Sequence, residues 1–225
     1  SLVDACRICR ILEDDSMDLK DKRVDYNKFE LVEELAGLDP YSLFSLWFAE
    51  ASETEPEPNI MIVSTSHNDQ PQTRVVLLKE VKDGNFVFYT NYHSTKGRAL
   101  EQNAKVSILF FWRDQQRQVR IEGIASKVAT KESDDYFYSR PIDSQIGAIA
   151  SSQSDELTTR EALEAKFETL AKFYDSNPIK RPEHWGGYAV TPLHFEFWQG
   201  RASRLHDRLT YDKVDSSWAR KRLYP

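Results

Sequence analysis

Two rhythms divide the chain. Before residue 59 the apolar positions recur every three or four residues; after it they mostly alternate with polar ones. Asp39-Pro40 predicts a helix start, because aspartate caps and proline fits the first helical position. Leu43, Phe44, Trp47, Phe48 and Ala51 then share one face, so this helix packs on something large. The acids and prolines from Glu53 to Pro58 read as a linker. Alternation predicts strands over 60–66, 73–81, 85–91, 106–112 and 118–128, with turns at His67–Gln70, Lys82–Gly84 and Asp114–Gln116. Between them Ser94 caps a short helix running to about Asn103. Thr130 caps a helix that ends at Arg140 before Pro141, and Ser144 caps a brief helix to Ala150. Thr158 and Glu161 form a capping box for a helix through Tyr174, with Leu163, Phe167, Leu170, Ala171 and Tyr174 as its buried stripe. Gly186-Gly187 opens a last set of strands ending near Leu223. Short, turn-linked strands with interspersed helices predict a mainly β, α+β fold: an antiparallel sheet curled into a barrel. Residues 1–38 read as a flexible leader and arm, and residues 39–225 as a single domain.

The chain has 225 residues, 40% of them hydrophobic and 12% aromatic, which is enough for a substantial core. Its formal net charge of -6, with no basic stripe, argues against nucleic acid as a partner. No apolar run is long enough to cross a bilayer, and charged residues interrupt any signal-peptide core near the start. Cys6 and Cys9 form a C-x-x-C without a second ligand pair, so they predict no metal site. So few cysteines fit a reducing, cytoplasmic setting.

Nucleotide-binding glycine loops, zinc-protease helices and serine-hydrolase elbows are all missing from the sequence. What remains is a set of separated polar positions. Arg74 and Lys79 bracket a buried run and, in a regular strand, point to opposite faces. Tyr89-Thr90-Asn91 feeds the helix at Ser94-Thr95-Lys96, a plausible phosphate seat, although capping alone needs only Ser94. Gln118, Arg120 and Glu122 share one strand face; a glutamine there suits the edge of a heteroaromatic ring or simply solvent. Tyr136 and Arg140 lie one helical turn apart, with Ser144 following, and Gln153-Ser154 lies in the loop beyond. The densest cationic run is Arg201, Arg204, His206 and Arg208, directly after Phe195-Glu196-Phe197-Trp198. Guanidinium forks beside aromatic faces suit a planar, anionic ligand, and His206 adds a group that exchanges protons near neutrality.

Taken together, Arg74-Val-Val-Leu-Leu-Lys79, Phe88-Tyr-Thr-Asn91, Arg117-Gln-Val-Arg120, Tyr136-Phe-Tyr-Ser-Arg-Pro141, Ser144-Gln-Ile-Gly-Ala148, Glu196-Phe-Trp-Gln-Gly200 and Arg204-Leu-His-Asp-Arg208 resemble the pyridoxine (pyridoxamine) 5'-phosphate oxidase family. The resemblance implies an FMN-binding split β-barrel, homodimeric, with FMN in clefts between subunits. It implies oxidation of pyridoxine and pyridoxamine 5'-phosphates to pyridoxal 5'-phosphate, with O2 reduced to H2O2. FMN would be held by Arg74, Val75, Val76, Leu77, Tyr89, Thr90, Lys96, Gln118, Gln153, Ser154, Trp198 and Arg208. Substrate would be held by Lys79, Tyr136, Arg140, Ser144, Arg204, Leu205 and His206, under an arm comprising Arg23, Val24, Asp25 and Tyr26. Arg204 and His206 would flank the reacting carbon. One position departs: Thr95 stands where the family usually has arginine, and Arg98 is a nearby substitute. Alternative readings are another flavin oxidoreductase on the same barrel, or a non-catalytic carrier of FMN or pyridoxal phosphate.

Overall fold

The computed structural model describes Tyr26, residues 29–32, Leu35 and residues 37–225. Arg23, Val24, Asp25, Cys6 and Cys9 lie outside the described residues. Helix α1 (Pro40–Ser52) opens as expected: the Asp39 carboxylate accepts from the backbone N–H groups of Tyr41 and Ser42. Its apolar face is the plug of the molecule. Phe44 meets Phe86 at 4.9 Å and Phe110 at 5.2 Å between ring centroids, and Trp47 meets Phe197 at 5.3 Å.

Among the described residues the sheet has nine antiparallel strands: β1 (Ile60–His67), β2 (Gln70–Leu77), β3 (Glu80–Lys82), β4 (Asn85–Asn91), β5 (Lys105–Trp112), β6 (Arg117–Lys127), β7 (Trp185–Gln199), β8 (Asp207–Val214) and β9 (Ser217–Leu223). Its main order is β2-β1-β5-β6-β7-β4-β3, and β8 and β9 extend from β7. Strand β7 is the spine: its first half pairs with β4, its second half with β8, and β6 runs beside most of it. The two ends of the main order, β2 and β3, are consecutive in sequence and separated only by Leu78 and Lys79. The sheet must therefore curl until its edges approach. The core lies inside this curl, where Met61, Ile108, Ile121, Val190 and Phe195 are fully buried.

Several local expectations are corrected. The strand expected over 73–81 is two strands. Leu78 N–H donates to Asn59 on the β1 side at 2.9 Å, and Lys79 N–H donates to Val87 on β4 at 2.9 Å. The chain changes partner between these residues, so no single strand spans them. The first turn is also tighter than expected. Asn68 and Asp69 take left-handed φ of 49° and 61°, which Asn and Asp tolerate, and the flanking strands extend to His67 and Gln70.

Helix α2 (Thr95–Gln102) is capped by Ser94 as expected, its hydroxyl accepting from Gly97 N–H. Helix α3 (Thr130–Ser139) begins at its expected cap, so the true cap lies one residue earlier. Ala129 is the N-cap, and Glu132 reaches back to its N–H at 3.3 Å. Helix α4 (Ile142–Ala150) is preceded by Pro141, so Ser144 lies in its first turn and not at its cap. Helix α5 (Arg160–Tyr174) is capped by Thr159, not Thr158. None of its residues is buried: Leu163, Phe167, Leu170, Ala171 and Tyr174 are half-exposed, because α5 rests on α4 at the periphery and not over the core. Among the described residues no helix is long and apolar enough to cross a membrane.

Because Phe44 packs between the rings of Phe86 and Phe110, Phe44→Ala should lower unfolding free energy by about 3–5 kcal/mol, read as a shifted denaturant midpoint at constant slope. A loss below about 1 kcal/mol would mean that α1 does not fill the curl.

Candidate functional site

The curl, the partner switch and the α3–α4 corner enclose a cavity of about 810 Å³. Each wall has a local cause. Strand β2 supplies Arg74, Val75, Val76 and Leu77, and the switch supplies Lys79. The end of β4 supplies Tyr89, Thr90 and Asn91, and the first turn of α2 supplies Thr95 and Lys96. The α3–α4 corner supplies Tyr136, Arg140, Pro141 and Ser144, and the following loop Gln153 and Ser154. Arg74 and Lys79, expected on opposite faces, line the same cavity, because the switch at Leu78-Lys79 resets the alternation.

Among the described residues four cations line this space, and no aspartate or glutamate does. Lys96 is only 7% exposed. Its Nζ donates to Thr90 Oγ1, to Ser94 Oγ at 3.2 Å and to Gln153 Oε1 at 3.3 Å, all neutral acceptors. Burial, then the Arg74 charge, pull its pKa down to about 8. Arg74 donates to Val63 O, Thr65 Oγ1 and Gln72 O, again without a carboxylate, and burial lowers its pKa. Arg140 lies over the Trp185 ring at 4.8 Å, and its Nη1 is buried with no hydrogen-bond partner among the described residues. Buried cations held by neutral acceptors, one with an unused donor, make a receptor for anions.

An aromatic wall completes the space. Tyr89 stacks on Tyr136 at 4.0 Å and on Trp185 at 5.6 Å. Burial, then the charges of Glu80 and Glu132, push the Tyr89 phenol up to about 12, so it stays a neutral donor. Gly187 permits this stack: a Cβ there would lie 2.9 Å from Tyr89 Cε1. The sequence reading missed Trp185 and the small residues Gly147, Ala148 and Ser151 that floor the cavity. For Trp185 the available signal was the adjacent Gly186-Gly187, and for Gly147 and Ala148 the Ser144-Gln-Ile-Gly-Ala148 run.

The remaining expected site residues gather elsewhere. Trp198 stands opposite Gln118 on β6 and opposite Arg208 on β8, so the three form one row across three strands. The His206 ring lies 4.6 Å from Trp198, and Tyr26 meets Trp198 edge-on at 5.8 Å. Gly200 makes room for Tyr26, since a Cβ would lie 2.9 Å from its ring. Arg204 and Leu205 are exposed on the loop between β7 and β8, where Ser203 and Arg204 take φ of 57° and 60°. His206 Nδ1 accepts the Arg201 N–H at 3.0 Å, which places the neutral ring's proton on Nε2. Burial, then the Arg204 charge, lower its pKa.

None of Gln118, Trp198, Arg204, Leu205, His206 and Arg208 lines the cavity. Gly187, paired with Tyr89, and Trp198, paired with Gln118, lie roughly 35 Å apart along β7 at about 3.3 Å per residue. The chain thus carries two separate halves of the expected site. The expected stand-in Arg98 is also elsewhere: it donates to His93 O, lies 3.7 Å from Asp155, and does not line the cavity. Thr95 does.

Comparison with known proteins matches residues 48–174 to a family described as pyridoxamine 5'-phosphate oxidase, and residues 185–225 to one described as pyridoxine 5'-phosphate oxidase C-terminal dimerisation region. The pyridoxine/pyridoxamine 5'-phosphate oxidase of Leptospira biflexa is 50% identical over 210 residues, 92% of this chain and 99% of that protein. That of Pseudomonas putida is 49% identical over 215 residues, covering 93% of this chain and 100% of that protein. The crystal structure of PhzG from Burkholderia lata, in complex with tetrahydrophenazine-1-carboxylic acid, superimposes with a TM-score of 0.81 at 31% identity, covering 87% of this chain and 98% of that one. A pyridoxamine 5'-phosphate oxidase-related, FMN binding protein from Nostoc punctiforme shares the fold, with a TM-score of 0.65 at 14% identity over 84% of this chain and 100% of that one.

The depressed Lys96 pKa has a consequence for the ligand-free protein. Above about pH 8 the folded chain releases this proton while the unfolded chain, titrating near 10.5, retains it. Stability should therefore rise between about pH 8 and pH 9.5, and Lys96→Met should flatten that rise. Urea midpoints at fixed ionic strength measure it; an unchanged slope in the variant would mean that Lys96 is not the buried titrating group.

Proposed function

The chain belongs to the pyridoxamine 5'-phosphate oxidase family, and from that premise we propose that it oxidises pyridoxine 5'-phosphate and pyridoxamine 5'-phosphate to pyridoxal 5'-phosphate, using FMN and passing electrons to O2 to give H2O2, with water hydrolysing the imine from the amine substrate to aldehyde and ammonia. The observation that carries this reading is the cavity with four cations and no carboxylate in an acidic chain. It has the charge for two phosphate monoesters, one from cofactor and one from substrate.

The residues fit the cofactor on their own chemistry. Arg74, Lys96 and Thr90 would hold the FMN phosphate at the α2 N-terminus, where backbone N–H groups add to the field. Val75, Val76, Leu77, Tyr89, Gln153 and Ser154 would border the rest of it. Lys79, Tyr136, Arg140 and Ser144 would hold the substrate phosphate, with the free Arg140 Nη1 as a ready donor. When bound, the flavin supplies the two-electron acceptor.

The two halves of the site meet in a homodimer. A mostly apolar row crosses the outer sheet face through Val75, Ile62 and Leu109, and it ends at Arg120 beside Glu196. Val75 is 62% exposed and Phe111, on the same face, is 51% exposed. Laying this face on its copy would bring Gln118, Trp198 and Arg208 of one chain to the cavity of the other and complete a split barrel pair. Tyr26 would then cover the substrate from the side of Trp198 and His206.

Oxidation at the 4' carbon removes a hydride from carbon and a proton from the attached oxygen or nitrogen. His206 has Nδ1 engaged with the Arg201 N–H, so its free face presents Nε2–H as a donor that orients this heteroatom. The heteroatom's proton would pass to water, and Arg204 beside it would stabilise the negative charge that develops. The alternative of a carrier without turnover leaves the Arg204–His206 pair unexplained.

Two variants test the shared site. Arg140→Ala and Arg204→Ala should each be inactive alone, with Arg204→Ala retaining flavin. Mixed after dissociation, they should recover about a quarter of wild-type turnover, because half the dimers are hybrids with one intact site of two. No recovery would overturn the two-chain site. In the wild type, anaerobic pyridoxine 5'-phosphate should bleach the yellow flavin band; an unchanged spectrum would overturn the oxidase reading.

A further inference from the structure

A buried carboxylate lies beside the second half of the site, unassigned by any role above. Glu196 is 4% exposed although it sits on the outer face of β7, between the inward-facing Phe195 and Phe197. Its Oε1 accepts from Arg208 Nε at 2.8 Å, and its Oε2 forms an ion pair with Arg120 Nη2 at 3.1 Å. Burial pushes its carboxyl up, but the Arg208 hydrogen bond and the two guanidinium charges outweigh this and keep it ionised at neutral pH. Arg208 Nη1 also donates to the Tyr224 carbonyl at 3.0 Å.

We propose that Glu196 is a positioning residue for the flavin: with the Tyr224 carbonyl it pins the Arg208 guanidinium so that Nη2 faces outward beside Trp198. A guanidinium held at Nε and at Nη1 cannot rotate about its long stem, and its plane is fixed before ligand arrives. Charge alone would favour the opposite design. A carboxylate on Arg208 weakens its pull on an anion, so a sequence selecting only for anion attraction would leave it unpaired, as Arg74 and Lys96 are. Arg208 stands opposite Trp198 in the strand register, where direction matters more than net charge. Arg120, directly opposite Glu196, balances the second oxygen and keeps the carboxylate from turning away.

This inference rests on the flavin reading above, and the experiment separates the two. Apoprotein is titrated with FMN by fluorescence quenching for wild type, Glu196→Gln, Glu196→Leu, Arg208→Lys and the double variants. Glu196→Leu should weaken FMN binding at least tenfold. Glu196→Gln, which keeps one acceptor oxygen for Arg208 Nε, should fall between. In the Arg208→Lys background, where no fork remains to be oriented, Glu196→Gln should cost nothing more. Pyridoxine 5'-phosphate KM at saturating FMN should move little, which a general loss of structure would not reproduce. Wild-type apoprotein that binds no FMN would sink the flavin reading itself. Wild type that binds FMN, with the Glu196 variants equal to it or with losses that add fully to Arg208→Lys, would overturn the positioning role alone.

Discussion

The arrangement depends on a cost that the protein does not settle internally. Lys96 and Arg74 are drawn out of water and surrounded by hydroxyls, amide oxygens and backbone carbonyls, and Arg140 keeps a buried Nη1 with no acceptor. A buried charge is tolerated when it is hydrogen-bonded and costly when it lacks a counter-charge. Neutral acceptors meet the first condition, and an incoming anion meets the second. The fold is arranged to keep these cations close without neutralising them, and the depressed Lys96 pKa is the trace of that strain.

The gathering is topological. Arg74, Lys79, Lys96 and Arg140 come from a strand, a partner switch, a helix start and a helix corner. They meet because the sheet's first and last strands are joined by two residues, so the curl brings β2 beside the end of β4. The period-two rule failed at this point. It placed Arg74 and Lys79 on opposite faces by assuming one continuous strand. Sequence alternation does not show where a strand exchanges one neighbour for another, since both partners present the same backbone groups. The pairings of Leu78 with Asn59 and of Lys79 with Val87 decide it.

Elsewhere legibility followed range. Asp39 and Ser94 as caps and the α1 core face were readable because a few adjacent residues determine them. Two caps slipped by one residue: Thr158 stands beside Thr159, which caps equally well, whereas at Thr130 the cap is Ala129, whose side chain bonds nothing and whose N–H is met by Glu132. The buried stripe of α5 was misjudged for a different reason: periodicity shows which face is apolar, not how much of the molecule covers it. The row of Gln118, Trp198 and Arg208 spans segments far apart in the chain. Trp198 and Arg208 fall in one run of sequence, but only resemblance to a family added Gln118, and only strand register shows that the three share a line.

The two halves treat their charges differently, and this asymmetry assigns their tasks. In the cavity the cations meet no carboxylate. Around the second half most of the arginines do: Arg208 and Arg120 share Glu196, and Arg201 and Arg222 share Asp207, with Glu30 adding to Arg201. Unpaired cations attract; paired ones are held in place. On the function proposed above, the cavity would capture phosphates, and the row at Trp198 would set the angle of a ring and of the carbon that reacts. Capture needs charge and tolerates some play, whereas transfer between two rings tolerates little. The cavity cations stand on β2, the switch, α2 and the α3–α4 corner, and the row at Trp198 on β6, β7 and β8, so the two sets of charges are carried by different elements.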